Sequence, residues 1–528
     1  MLYFLTDWQS EHPLESDIIF NVNTMFQESR LETKVINTQF SPFLNYLMNA
    51  FESYDSDHFI QLLDIMSNRF ALNYAPLTLN DLDFPKGWER TYTRGSVLLS
   101  KEGVIKAEVY FNSFGFVSQV HYPTRLGKEI HIYSEKGTVL LQEFFDTSGA
   151  KNEQRLFDEG GQLILTQWGG DVFIEKDYQK HFKKVTYASF KEVCIELLHL
   201  TLVNFNPKED RLVIDGTNDW VMSLIEGIGF PESVVYIFSG PSENCLSQLD
   251  EHLGLIGKGK AIITDNQSFQ SSIENTPFYQ SIKSKTHFMS LYPTTLRLGE
   301  SNRFLEGIVY WQVEQFDLQT SALFGKFLEL KLSTRELCLM IESEEEADET
   351  KVEDYLTRFI TQRFEISLSS PEYGLVQQYY EALENEEMTP GLRELFQATK
   401  QENPVFSRVI EAYLFYTGIR FRKNASVETL KADFETVRVL IDQRLKYDFL
   451  SHSLAVSAGI PILSKTSSPY LLNGKNGLLY QKDEDLVEVI QAYLTDPDLW
   501  NQSLVESVEV IENNSAKGLI EKWKEVLK

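Results

Sequence analysis

Cysteine is scarce: Cys194, Cys245 and Cys338 are the three in 528 residues, widely separated and odd in number. That excludes a disulfide framework and fits small buried hydrophobes in a reducing compartment. Positive charge is also short, with 49 Lys and Arg against 77 Asp and Glu and a formal net charge of −28. Such a chain repels phosphate backbones, so nucleic acid is not an expected partner, and only a local basic patch could meet anionic lipid. No apolar run approaches the ~18 residues that a membrane helix needs. The opening, MLYFLTDWQSEHPLESD, lacks a basic start and turns acidic by Asp7, unlike a secretory leader. A soluble cytoplasmic chain is the expectation. C-x-x-C, H-E-x-x-H, Walker-type and G-x-S-x-G patterns are all missing, GIGF and GKGKA are too short for dinucleotide fingerprints, and the nine histidines are scattered. His121 and His131 read as sheet-face residues. No metal and no cofactor are expected.

What the chain does have is ordinary globular composition, with 42% hydrophobic and 13% aromatic residues, and enough length for two or three domains. LYFLT (Leu2 to Thr6) reads as a buried strand and DIIFNVNTMFQES as an amphipathic helix capped by Asp17. TKVIN is a second strand, and SPFLNYLMNAF a helix capped by Ser41 with Pro42 in its first turn. Strand and helix alternate, which argues for a parallel sheet.

From about Trp88 to His181 the helical period disappears. Gly103, Gly115, Gly127, Gly137, Gly149 and Gly161 recur every ten or twelve residues between alternating segments such as VIKAEVYF and TVLLQEFFD. Evenly spaced turns joining alternating strands predict an antiparallel meander, one layer thick with one wet face. Strand–helix alternation resumes near Val185 with RLVID, VVYIF, AIITD and THFMSLYP. A second series starts at GIVYWQV and runs through ELCLMIES, RFEISLS, VRVLID, IPIL and GLLYQ. The predicted organisation is α/β: residues 1–87 and 185–304 form one Rossmann-like domain, 88–184 an inserted meander, 305–512 a second Rossmann-like domain, and 513–528 a closing helix. The acidic runs ESEEEADE and ENEE read as solvated loops and helix starts.

From VRVLID onward the chain resembles the nucleotide-sugar half of GT-B glycosyltransferases. That family carries a helix with two glutamates eight positions apart, then E-A-x-A-x-G-x-P, an apolar strand after an NG turn, and a closing helix. Here SLAVSAGIPIL, GKNGLLYQKDEDLVEVIQAYLTDPDLW and AKGLIEKWKEVL supply the frame. Gly459 and Pro461 would end the helix, and Asn476-Gly477 would form a tight turn. The chemical positions differ. Aligned on Gly459, Leu454 and Lys446 stand where the family has its glutamates, and neither can accept hydrogen bonds from ribose or sugar hydroxyls. The family's phosphate clamp has no counterpart after IVYWQ, where Glu314 and Asp317 stand instead. Each would repel a diphosphate by roughly 1 kcal/mol in water and by more in a dry cleft.

Arg420, Arg422 and Lys423, in GIRFRKN, are the possible residual phosphate contacts, or else an exposed basic turn. Trp8 and His12 in the loop after the first strand, with Tyr447, His452 and Tyr470 near the lost donor site, are the candidate carbohydrate contacts. For Trp8 the alternative is a ring packing its loop down. Aromatic rings stack on the apolar face of sugars, and pockets form between domains.

The intact frame, missing carboxylates and inserted meander together resemble the first accessory secretion proteins of the accessory Sec system of Gram-positive cocci. The resemblance implies a GT-B-like pseudo-glycosyltransferase, not an enzyme, in export of serine-rich-repeat adhesins. It implies a complex with the other two accessory secretion proteins, contact with the glycosylated adhesin polypeptide and docking to a SecA-type motor ATPase. Peripheral contact with the inner face of the membrane would accompany this. The alternative is an active GT-B transferase adding N-acetylglucosamine or glucose to Ser or Thr of the adhesin. A third option is a chaperone subunit of such a transferase.

Overall fold

The first apolar stretch forms the strand Leu2–Thr6, and both its neighbours are parallel to it: Thr33–Asn37 on one side and Arg211–Asp215 on the other. The computed structural model describes residues 1–9, 14–49, 58–67, 75–423, 425–444 and 449–528. Among these, seven strands make one parallel sheet. Its order is Thr286–Phe288, Ala261–Thr264, Val234–Phe238, Arg211–Asp215, Leu2–Thr6, Thr33–Asn37, Phe59–Gln61. Helices on its faces include Ile18–Glu28, whose N-cap is Asp17 as its sequence implies: the carboxylate accepts from Phe20 N–H at 2.9 Å. The next helix is shorter than its sequence suggests and covers only Leu44–Met48. Phe43 before it is left-handed (φ 67°), so Ser41 and Pro42 lie in the preceding turn and Ser41 is not the cap.

The inserted segment forms ten strands, from Glu89–Tyr92 to Thr186–Tyr187, each antiparallel to its neighbour in chain order. All six repeat glycines have positive φ, between 74° and 139°. Only glycine reaches that region cheaply, which is why the repeat marks the turns. The four turns ending at Gly115, Gly137, Gly149 and Gly161 each close with the glycine N–H bonded to a carbonyl three residues back, at 3.0–3.1 Å. The sheet is one layer, half covered on each face. Leu141, Leu156, Leu165, Val172 and Ile174 pack with the helix Phe190–Thr201 and the N-terminal lobe. On the opposite face, Val109, Val120 and Tyr133 are capped by the segment carrying Leu77, Leu82, Phe84 and Trp88.

The second lobe has six parallel strands ordered Ile419–Lys423, Leu337–Ser343, Gly307–Gln312, Val437–Asp442, Ile462–Ser464, Gly477–Leu479. RFEISLS is not one of them. Arg363 and Phe364 end the helix Glu346–Phe364, Glu365 turns left-handed (φ 56°), and Ser370 caps Pro371–Glu384. Alternation in that stretch buries Ile366 as a link between helices. The edge strand is IRFRK, the stretch otherwise readable as a basic turn, reached after two further helices, Pro390–Glu402 and Phe406–Thr417. The ESEEEADE run is not wholly solvated either. Glu342 accepts from Gln312 Nε2 (2.7 Å) and Ala425 N–H (3.1 Å), and buried Asp348 accepts from Phe316 N–H and Ser343 Oγ, both at 2.7 Å.

The closing helix Ala516–Leu527 packs back onto the N-terminal lobe, with Trp523 edge-on to Phe26 at 5.4 Å. One apolar core therefore runs through both lobes, from Phe4 and Val213 to Leu440 and Trp523.

Candidate functional site

The helix that would grip a donor sugar is Leu450–Ser457. It stops because Gly459 is left-handed (φ 74°) and donates to Val456 O at 2.9 Å; a Cβ there would stand 2.5 Å from Leu504. Pro461 then leads into Ile462–Ser464, its carbonyl accepting from Leu440 N–H at 3.0 Å. The NG turn differs from its sequence reading, because the left-handed glycine is Gly474 (φ 75°). Asn476 is buried and holds the loop, accepting from Leu472 N–H (2.7 Å) and donating to Tyr470 O (2.8 Å). Gly477 opens a strand so close to its neighbour that a Cβ would meet Ile462 O at 2.0 Å.

Within this frame the one described donor position is apolar. Leu454 packs half-buried against the core shared by the lobes, and Lys446 lies outside the described residues. The strand Val437–Asp442 ends in a buried carboxylate that Arg444 grips as a fork, Nε to Oδ1 at 3.1 Å and Nη2 to Oδ2 at 3.0 Å. His452, fully buried, donates from Nε2 to the same Asp442 Oδ2 at 3.1 Å, with Nδ1 2.8 Å from Ser468 Oγ. Arg444 Nη2 also reaches Ser451 Oγ at 2.8 Å. Burial works to raise the Asp442 carboxyl, but Arg444 and His452 outweigh it and hold it well below the usual range. The site thus has a cation that sequence reasoning passed over. The signal was the D-x-R at the strand end, but Arg444 is committed to its own carboxylate.

A second cradle is filled in the same way. The first helix of this lobe, Leu318–Ser333, points its N-terminus where anions bind in α/β folds. Asp317 occupies it as N-cap, Oδ1 accepting from Thr320 N–H at 2.8 Å, and that bond lowers its carboxyl from the ordinary value. Lys465 pairs with Asp483 at 2.7 Å. Arg422 forms a fork with Asp433, both bonds 3.1 Å, and Arg420 is exposed on the edge strand, three residues from its site end at Lys423. Lys465 and Arg422 are thus paired with carboxylates of this chain.

The described carbohydrate candidates are likewise inward. Trp8 is 3% exposed, edge-on to Phe20 at 5.8 Å and stacked on Phe59 at 6.4 Å. Tyr470 is fully buried, its hydroxyl donating to Tyr292 O (2.7 Å) and accepting from Tyr292 N–H (3.1 Å), a staple between the lobes. Trp8, His452 and Tyr470 therefore offer no face to a ligand, because packing and internal hydrogen bonds already use them. His12 and Tyr447 lie outside the described residues.

The facing edge of the N-terminal sheet is acidic too. Burial pushes the Asp215 carboxyl up to about 6, against two hydrogen bonds from Thr217 and with added repulsion from Asp17 and Asp7. A cavity of about 500 Å³ opens elsewhere, between the ten-stranded sheet and the N-terminal lobe, lined by Gln9, Gln39, Gln119, Gln154 and Gln167 among others.

Comparison with known proteins decides what this frame belongs to. The profile of one accessory Sec system protein family, the first of the Asp group, matches residues 5–528. The chain belongs to that family. The accessory Sec system protein of the same family from Streptococcus gordonii is 20% identical over 555 residues, covering 100% of this chain and 99% of its own. Among solved structures, the Glycosylation Associate Protein (Gap123) complex from Streptococcus agalactiae aligns with TM-score 0.74 at 20% identity, over 99% of both chains. Accessory secretory protein 1, 2 and 3 in Streptococcus pneumoniae gives 0.72 at 18%, over 100% and 99%. The pneumococcal O-GlcNAc transferase GtfA, in complex with UDP and GlcNAc, gives 0.66 at 13%, over 100% and 98%. The fold is GT-B, with two Rossmann-like lobes and an antiparallel sheet inserted in the first. No described helix is long and apolar enough to cross a membrane.

Proposed function

We propose that this chain is a non-catalytic component of the accessory Sec export pathway, working on the cytoplasmic side of the translocase. It binds the glycosylated serine-rich-repeat adhesin and assembles with the other two accessory secretion proteins, the complex docking to a SecA-type motor at the inner face of the membrane. One observation carries the absence of catalysis: both places that would hold a donor diphosphate are filled by the protein's own carboxylates, Asp317 on the helix N-terminus and Asp442 in the fork of Arg444. A diphosphate entering at Arg444 would have to displace a buried ion pair, and breaking such a pair costs about 3–5 kcal/mol, while at the helix N-terminus it would meet the like charge of Asp317. Membership of the family and the complexes in which its structural neighbours were solved support the choice of partners.

Titration calorimetry of the full chain with UDP and UDP-N-acetylglucosamine should give no saturable heat, and co-expression with the two partner proteins should yield a stable complex in size exclusion. Micromolar UDP binding would sink the non-catalytic reading and install the transferase alternative.

A further inference from the structure

Directly opposed residues on antiparallel strands share one face of a sheet. Across the inserted sheet, Tyr122 opposes Glu129, Glu129 opposes Phe144, Phe144 opposes Glu153, Glu153 opposes Trp168, and Trp168 opposes Asp171. A single row over six neighbouring strands thus alternates ring and acid three times. With strands ~4.8 Å apart, rings recur about every 10 Å along it. The Tyr122 end is tucked under the covering segment of Leu77, Phe84 and Trp88. Beyond that the face is open: Trp168 is 67% exposed, and Phe173, in the adjacent row opposite Thr166, is 43% exposed.

Scattered exposed apolar residues are ordinary. Here the rings keep register with three carboxylates, of which Glu129 and Glu153 are engaged by neighbouring side chains and Asp171 is exposed. Glu129 lies 2.6 Å from His131, and Glu153 lies 2.5 Å from Arg155. The Arg155 guanidinium is in turn 4.7 Å over the Phe144 ring, and Gln142 reaches His131 at 3.3 Å. Glu129 and Glu153 are therefore held in fixed orientations, and Arg155 offsets the charge of Glu153. A cationic peptide would find Glu129 and Glu153 taken and only Asp171 of the row left to it, and an anionic headgroup would find Arg155 taken. A neutral ligand with a flat C–H face and a rim of hydroxyls meets a ring to lie on and oriented donors and acceptors beside it.

We propose that this face is a sugar platform. It takes the sugar residues of a glycosylated Ser/Thr polypeptide, with Trp168 under a sugar ring and Glu153 and Arg155 bonding its hydroxyls. The proposal rests on the reading that the chain handles glycosylated adhesin, and it assigns the sugar contact to the inserted sheet and not to the cleft between the lobes.

Calorimetric titration of the full chain with a Ser/Thr peptide bearing O-linked N-acetylglucosamine, and with the same peptide unmodified, tests it. The glycopeptide should bind at least about tenfold more tightly than the bare peptide, and Trp168→Ala should lose about tenfold or more of that affinity with an unchanged melting temperature. Tyr92→Ala, removing a ring 70% exposed on the terminal strand of the same sheet, should leave binding as it was. Equal binding by Trp168→Ala and the unsubstituted chain overturns the platform and leaves adhesin handling standing. Equal affinity for both peptides overturns the sugar chemistry, and no binding of either removes adhesin handling along with the platform. A Trp168→Ala chain that binds glycopeptide normally but fails to assemble with the partner proteins makes the face a protein interface, and the proposal falls.

Discussion

At the scale of single residues, Asp215 and Asp442 respond to pH in opposite senses. Asp215, with its carboxyl raised to about 6, is favoured neutral in the folded chain. Its contribution to stability is complete below about pH 4 and is lost as pH rises to 6, a change of at most about 3 kcal/mol. Asp215→Asn should therefore raise the melting temperature at pH 8, with the gain disappearing by about pH 4 in a series of thermal melts. Asp442 is held low, so its contribution is present at neutral pH and is lost only as pH falls through its folded value. That Leu454 lies on the helix ended by Gly459 was legible in the sequence, by counting back from the glycine. The partners of the site's carboxylates were not legible. Pairing of Asp442 with Arg444 and His452 depends on a strand end, a loop and a helix meeting in space, and Asp317 reads as a repelling charge until its bond to Thr320 identifies it as a cap.

Among elements, the inserted sheet was the most legible part, because each of its repeat glycines answers a backbone demand that no other residue meets cheaply. RFEISLS failed for the opposite reason. Its alternation satisfies a strand pattern, but further helices intervene before the edge strand, and tertiary context overrode a seven-residue period. Gly477 shows how one residue type serves different ends: its φ is not positive, and it is needed because a neighbouring backbone lies where a Cβ would go. Gly477→Ala should force the last two strands of the second lobe apart and destabilise the chain by about 2 kcal/mol or more, read as a lowered denaturant midpoint at unchanged slope.

For the molecule as a whole, the two lobes are joined by more than a linker. The Tyr470 hydroxyl staples Tyr292 on both sides, and the closing helix lays Trp523 on Phe26. The Trp523 indole nitrogen has no hydrogen-bond partner, so its contribution is apolar packing. Trp523→Phe should cost about 1–2 kcal/mol and Trp523→Ala about 3–5 kcal/mol, measured by chemical unfolding. A hydrogen bond through the indole would instead make the two substitutions nearly equal.

The same helix bears on how the chain is made. Translation delivers Phe26 long before Trp523, while Leu2–Thr6 waits for Arg211–Asp215 to gain its second neighbour. A nascent chain still on the ribosome therefore carries a first lobe without its final wall. That lobe is sealed only when the closing helix leaves the exit tunnel.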